Sequence, residues 1–384
     1  MADHLSASSP STELENNGPE APRAVSAGQT GSCQLVLTTY NSDESSEQRT
    51  VQLQDLEEAI LEARRQDRII WLDTIGTPEQ KTIDQIRELF QFRNFDPFEL
   101  VKAHQRSKFE MYEDQMAIVV WSVEINNALH PHQIVMMLGE KCLLSFQFDG
   151  RDLLEDVKQA LKKGLNKSRR GGADYLAYTI VNQAVDSYFP YLERYGERLE
   201  TVEEQILENP TRRSISQIHA IKRDLLNVRR HLWSLRETIN TTIRDNSDAF
   251  ADGTKIHFRD TYEHVVQLID VVEIYRELCS DLMDVYLSSI SNRMNEVMKV
   301  LTVITTVFVP PALIASIYGM NFHSEKSPFN MPELSWYYGY PLALGLMLVT
   351  ALTTLIFFWI KGWLGDGPRV IRMLRHKLHH KKKL

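Results

Sequence analysis

Residues 300–322 read VLTVITTVFVPPALIASIYGMNF, and residues 334–360 read LSWYYGYPLALGLMLVTALTTLIFFWI. Neither run contains a charged side chain. About 20 apolar residues cross the ~30 Å hydrocarbon core of a bilayer as a helix, so both runs read as membrane spans. The first also carries Thr302, Thr305, Thr306 and the pair Pro310-Pro311, and a buried helix of a soluble protein is its other reading. Hydroxyls and prolines are tolerated in a span where neighbouring helices or water satisfy the backbone. The first span is therefore expected to face protein or water more than lipid.

Only residues 323–333 separate the runs, so the two form a helical hairpin. Trp336, Tyr337, Tyr338 and Tyr340 open the second span, and Trp359 and Trp363 close it. Aromatic residues collect in this way at the two membrane–water interfaces. Lys361 follows, and Arg369–Leu384 holds seven Lys/Arg and no acid. Positive charge stays on the cytoplasmic side. The tail and, across two spans, the large N-terminal region are thus expected in the cytoplasm, with residues 323–333 outside. The tail itself reads as an anchor on anionic lipid, although His376, His379 and His380 leave a metal tract as its alternative.

Outward from the hairpin the chain changes character. It has 384 residues, 43% of them hydrophobic, so most of it can bury a core. The formal net charge is −8, and about −15 lies outside the basic tail, which excludes a general nucleic-acid binder. Cys33, Cys142 and Cys279 are scattered, with no CxxC pair. That pattern gives no disulfide framework and no structural zinc, and it suits a reducing compartment. The opening MADHLSASSPSTELENNGPEAP has no apolar core of a signal peptide. A bacterial inner (plasma) membrane is the expected location.

Residues 1–32 read as a disordered tail. From Gln34 to Phe148, QLVLTTY, RIIWLDT, AIVVWSVEI, QIVMMLG and CLLSFQF read as strands. QDLEEAILEARRQ and TPEQKTIDQIRELFQF read as helices, the second with Thr77 as N-cap, Pro78 in its first turn and Gln80 at the capping-box position. Three long helical stretches follow, at about 173–208, 213–247 and 256–318, divided by Asn209-Pro210 and by 247–253. The last has no Pro or Gly from Thr254 to Val309. Leu268, Val272, Tyr275, Leu282, Tyr286, Ile290, Val297 and Leu301 recur on it at three- and four-residue steps. A rod of this length requires bundling or oligomerisation.

The expected fold class is an α/β N-terminal cytoplasmic domain followed by long α-helices and two C-terminal transmembrane helices. The divisions are a tail at 1–32, a cytoplasmic α/β/α domain with long acidic helices at 33–255, and a stalk helix at 256–322. That stalk continues into the first span at about 300–318. An external loop at 323–333, the second span at 334–361 and the basic tail at 362–384 complete the chain.

Steps of four and three from Asp284 give Ser288, Ser291, Asn295, Met298, Thr302, Thr305, Val309, Ala312, Ser316 and Gly319. This stripe is small or polar nearly throughout, and no fixed charge lies in its membrane part. Close helix packing is one reading. The other is the wall of a water-filled pore lined by copies of the helix. Such a pore would hold a cation through oxygen dipoles and the ion's retained water. Magnesium suits it, being small, octahedral and reluctant to dehydrate, while a ring of carboxylates would release the ion too slowly for conduction.

Tyr318-Gly319-Met320-Asn321 closes the first span. YGMN at this place, with the hairpin and the rod, resembles the CorA family of magnesium and cobalt channels, which have two spans and a GxN motif. HQRSKFE at 104–110, DVYLSSISNRMNEVMKVLT at 284–302 and MPEL at 331–334 are also similar to bacterial members. The resemblance covers about residues 68–362. It implies a funnel-shaped homopentamer with the first span lining the pore, and magnesium as both substrate and regulatory ligand. Gly319, Met320 and Asn321 would form the selectivity filter, with Asn321 on the hydrated ion. Asp284, Asn295, Met298, Leu301 and Thr305 would line the passage. The stripe itself selects Thr302, and helical drift of ~20° per heptad exchanges it for Leu301. Glu99 and Asp260, with His264 nearby, match the acids that bind regulatory ions between cytoplasmic domains and hold the closed state. Glu99 stands where the family more often has Asp. Val309 and Ala312 stand where relatives can carry Met and Thr, and Pro311 doubles the usual proline.

Other features have plainer readings. His130 and His132 in LHPHQ suit a hairpin turn more than a metal site. Asp186, Glu193, Glu197, Glu200, Glu203, Glu204 and Glu208 read as a solvated face or a diffuse cation-attracting surface. Glu325 and Glu333 in the external loop could concentrate cations. No nucleophile–base pair, Walker loop or GxGxxG is evident, so an enzyme is not expected and no organic cofactor is implied. Transport would be passive, driven by the membrane potential at ~2.3 kcal/mol per charge per 100 mV. Two alternatives remain: a zinc or transition-metal transporter of the same fold, which Met320 disfavours within the family, and a membrane-anchored helical sensor or scaffold without flux.

Overall fold

The computed structural model describes residues 33–41, 46–92, 96–103, 106–112, 115–125, 129–164, 171–244, 249–320, 329 and 331–363. They fall into two units. The first holds the described residues up to Glu203 together with Ile215–Asp281, and the second holds Glu204–Ser214 and those from Leu282 onward.

The first unit is built on a seven-stranded sheet in the order β2-β1-β3-β7-β6-β5-β4. Its strands are β1 (Gln34–Tyr40), β2 (Glu47–Val51), β3 (Ile69–Ile75), β4 (Lys108–Tyr112), β5 (Gln115–Ile125), β6 (Leu129–Leu138) and β7 (Cys142–Gln147). Only β3 and β7 pair in parallel; every other neighbouring pair is antiparallel. Five strands match the apolar runs of the sequence. The two that do not, β2 and β4, are the sheet edges. In β2 only Val51 is buried and four residues face solvent. An edge strand carries charge where a central one carries apolar side chains, so its sequence signal is weak.

One face of the sheet is covered by α1 (Leu56–Arg65), α2 (Gln80–Phe90) and α3 (Pro97–Ala103). Leu56, Ile60, Ile86 and Phe90 pack there with Leu37, Leu72, Val119, Val135 and Leu144. The expected cap of α2 is not made. The helix begins at Gln80 with Glu79 as N-cap and no side-chain cap bond. Gln80 turns forward to donate to Asp84 (3.3 Å), and the Thr77 hydroxyl donates to the Phe148 carbonyl (3.4 Å).

The other face meets α4 (Glu155–Lys163) and α5 (Ala173–Asp186) through a buried polar network. Lys158 reaches Asp73 (2.6 Å) and Asp152 (2.7 Å), and Asp73 also accepts from Ser145 and Gln147. Trp71 donates to Ser145 (2.9 Å). Asp73 is 1% exposed, so such a charge persists only when paired and hydrogen-bonded. Burial alone would pull Lys158 down, but the two carboxylates reverse this and hold its ammonium above the ordinary lysine range.

The expected helix at 173–208 is two helices, α5 and α6 (Tyr188–Glu208), parted at Ser187. Pro190 has no N–H to give the Asp186 carbonyl, and its ring crowds that group. The Ser187 hydroxyl meets the break by accepting from the Val123 amide (3.1 Å) and donating to the Ala184 carbonyl (2.6 Å). Next come α7 (Arg212–Arg244) and α8 (Asp252–Tyr318), the latter with 67 residues. Within the first unit α5 and the start of α8 are stitched in parallel. Thr254 donates to Asp174 (2.6 Å) and Thr261 to Asn182 (2.7 Å).

In the second unit, Pro310 and Pro311 lie inside α8 without ending it. The carbonyls of Thr306 and Val307 consequently have no N–H four residues on. The last helix among the described residues is α9 (Gly339–Ile360), entered from a 3₁₀ turn at Pro332–Ser335. Gly339 is required there, because a Cβ would fall 1.9 Å from the Glu333 carbonyl oxygen. Both α8 and α9 are long and apolar enough to span a membrane, and only 11% of the most apolar window of each is buried. A core helix of a soluble protein is mostly buried within its chain, and neither window is.

Candidate functional site

The C-terminal half of α8 has two distinct faces. Val303 and Val307, each 8% exposed, pack with Phe358 and Ala351 of α9. Pro310, Pro311, Ile314 and Tyr318 continue that face as half-buried positions. At 3.6 residues per turn, the row Met298, Thr302, Thr305, Val309, Ala312, Ser316, Gly319 lies on the roughly opposite side. Every member of this row, and Asp284, Ser288, Ser291 and Asn295 before it, is exposed in the single chain. Leu301, 56% exposed, and Thr302 flank the middle of the row, one on each side.

The row offers acceptors. The Thr302 hydroxyl donates to the Met298 carbonyl (2.8 Å) and the Thr305 hydroxyl to the Leu301 carbonyl (2.9 Å). Each proton is thus spent inside the helix, and the oxygen's acceptor capacity is what faces outward. Water bound to a divalent cation turns its hydrogens away from the metal, so such oxygens suit a hydrated ion. The helix ends at Tyr318; the Gly319 amide still donates to Ala315 (2.9 Å) and that of Met320 to Ile317 (3.1 Å). Gly319 and Met320 are exposed. Asn321 and Glu325, with residues 1–32 and the basic tail, lie outside the described residues. Glu333 is in the 3₁₀ turn before α9.

Beside this row lies a second one that the polar stripe does not reveal. Leu287, Ile290, Met294, Val297, Leu301, Ile304 and Phe308 follow strict alternating steps of three and four, and all are exposed, from 38% at Ile290 to 68% at Phe308. The signal was present as a heptad. The spacing series drawn through Leu268 and Val272 mixed two faces, since those residues are fully buried while Val297 and Leu301 are not.

The acids matched to a regulatory site lie in the first unit. Glu99 is exposed on α3, whose first turn is capped by Asp96 accepting from the Phe98 amide (2.8 Å). It acts with Glu110 on Tyr112, whose hydroxyl burial and these carboxylates push up. Asp260 and His264 are exposed one turn apart on α8. His264 Nδ1 is 3.6 Å from Asp186 Oδ1, and burial raises the Asp186 carboxyl against the opposing pull of His264. Asp186, expected on the acidic surface, is placed beside His264 by the α5–α8 register. Among the described residues no contact joins Glu99 to Asp260 within one chain, and no three His, Cys, Asp or Glu gather as a metal site. Glu193, Glu197, Glu200, Glu203, Glu204 and Glu208 are all exposed. His130 and His132 lie in strand β6, not in the turn before it, and His132 Nδ1 is 2.7 Å from Asp149.

The model of the "CorA-like Mg2+ transporter protein" family matches residues 66–361. The "Cobalt/magnesium transport protein CorA" of Thermotoga maritima is 34% identical over 334 residues, which cover 86% of this chain and 92% of that one. The chain belongs to the CorA family. The CorA magnesium transport protein of Helicobacter pylori is 23% identical, across 78% of this chain and 92% of its own. The complete structure of the CorA magnesium transporter from Methanocaldococcus jannaschii superposes with a TM-score of 0.67 at 22% identity, covering 85% of this chain and 98% of that one. The fold is that of CorA: a mixed-sheet N-terminal domain, long helices and two apolar C-terminal helices. The family is one of membrane transporters, not catalysts.

Proposed function

We propose that the chain is a passive uptake channel for magnesium, and also for cobalt and nickel, working as a homopentamer in the inner (plasma) membrane with both termini cytoplasmic. The observation that carries this is the exposed acceptor row on α8, turned away from α9. The heptad row beside it supplies the contact by which copies of α8 would surround a common axis. The ion passes hydrated along Asp284, Asn295, Met298, Leu301 and Thr305, and the amide of Asn321 selects it within Gly319-Met320-Asn321. The names of the relatives, cobalt/magnesium and magnesium transport proteins, point to the same cargo. Glu325 and Glu333 concentrate cations outside, and the basic tail rests on anionic lipid.

Closure follows from charge. Glu99 and Asp260 are exposed carboxylates, and a divalent cation shared between facing subunits screens their repulsion and stabilises the closed assembly. Oxygen ligands suit magnesium; the His264 imidazole is a poorer partner for so hard an ion, and it already faces Asp186.

Proteoliposomes loaded with an ion-sensitive dye test the reading against magnesium, cobalt, nickel and zinc. Influx of the first three, with Asn321→Ala lowering it on the order of 100-fold through lost hydrogen bonds to the ion's water, is expected. Zinc alone as cargo, or full influx through Asn321→Ala, would overturn the assignment. Asp260→Asn should weaken the protection that magnesium gives against proteolysis.

A further inference from the structure

A second site is written in α7, far in sequence from the acceptor row and independent of the transport reading. Residues 212–244 hold eight Lys/Arg and two acids, whereas α6, residues 188–208, holds six acids and two Arg. On this basic helix an open cavity of about 650 Å³ is lined by Arg106, Arg229, Arg230, Trp233, Ser234 and Glu237, among others. That volume lies in the range of small-molecule sites. Trp233 stands 44% exposed within it. The Arg236 guanidinium lies 4.2 Å and that of Arg229 5.4 Å from the Trp233 ring centroid. A guanidinium held on an aromatic face is oriented before any ligand arrives.

The opposite wall is fixed as well. The Ser107 carbonyl accepts from the hydroxyls of Ser234 (2.8 Å) and Thr238 (3.3 Å), which pins the backbone beside Arg106 against α7. Arg229 is neutralised by Glu273, a carboxylate it shares with Arg276. Arg106 and Arg230 are exposed, and among the described residues no carboxylate pairs with either. Three arginines against one acid, Glu237, line the cavity, and forked guanidinium donors in excess over carboxylate are the chemistry that takes phosphate. The Arg236 guanidinium stacked on the exposed Trp233 indole offers a flat, delocalised cation on which the ring of a base stacks.

We propose that this cavity binds a nucleoside polyphosphate, with its phosphates on Arg106 and Arg230 and its base on the guanidinium that Trp233 holds in place. Titration calorimetry on the full-length chain in detergent tests this, in EDTA so that chelation of magnesium is not mistaken for binding. ATP should bind saturably, once per chain, and more tightly than inorganic triphosphate. The double variant Arg106→Ala/Arg230→Ala should weaken ATP by at least about tenfold, as lost charged hydrogen bonds require, with an unchanged circular-dichroism melt because both side chains are exposed. Trp233→Leu should bring ATP down to the affinity of triphosphate. No saturable ATP binding, or the same affinity in the double variant, overturns the site. Triphosphate binding as tightly as ATP to the unaltered chain overturns the nucleoside assignment.

Discussion

The sheet-centred unit and the α8–α9 unit treat apolar surface in opposite ways. In the first, Leu37, Leu56, Ile60, Leu72 and Leu144 are at most 2% exposed, and even the buried charge Lys158 has two carboxylate partners. In the second, Leu287, Met294, Val297, Leu301 and Phe308 are all more than half exposed. One chain completes the first unit. The second leaves its apolar rows uncovered within one chain, and in the proposed channel lipid and other copies would cover them, so its residues should reveal themselves in assembly, not in the folding of the chain.

The largest break of this contrast is a charge in the apolar row. Val297→Asp would place a carboxylate in a helix–helix contact at a cost of several kcal/mol per copy. Light scattering should show the oligomer lost while the sheet melts as before; an intact oligomer would remove the row from the contact. The converse change is Lys158→Met, which leaves Asp73 buried without its cation. It should cost about 3–5 kcal/mol, seen as a lower melting temperature with assembly retained at low temperature.

A smaller effect depends on pH. Burial, and then the neighbouring Arg230, lowers His231 to about 4 from the ordinary 6.5. The folded state resists the proton that the unfolded chain accepts, so the stabilisation is complete above about 6.5 and is lost as pH falls toward 4. The loss is about 3 kcal/mol. Stability measured against pH should show it, and His231→Phe, beside the Trp121 ring, should flatten that part of the curve. The smallest effect is at Gly196, where a Cβ would meet the Tyr275 hydroxyl at 2.7 Å. That hydroxyl ends a side chain that can swing, so Gly196→Ala should cost about 1 kcal/mol, read from the melt.

How far the chain was legible follows the same division. The spans, the five central strands and the stripe from Asp284 to Gly319 are periodic apolar or polar patterns, which a sequence displays directly. The edges β2 and β4 were missed because half-exposed strands lack that pattern. The break at Ser187 was missed although Pro190 announced it, since proline is also tolerated in a helix's first turn. The Asp73–Lys158 pair gave one hint, an acid amid RIIWLDTI, but its partner lies 85 residues on and only the fold brings them together. Asp186 and His264 likewise meet through the parallel stitching of α5 to α8.

The paired prolines of α8 carry a mechanical meaning. With two successive rungs of its ladder absent at Thr306 and Val307, the helix has a wrist midway along its membrane stretch. Bending there demands little, because the bonds that would resist are already missing. Met298, Leu301 and Thr305 lie on one side of the wrist, Ala312, Ser316 and Gly319 on the other, so the two ends of the row can change their inclination separately. The part of α8 that carries Leu301 can therefore change its tilt without disturbing the backbone turn that closes the helix at Gly319.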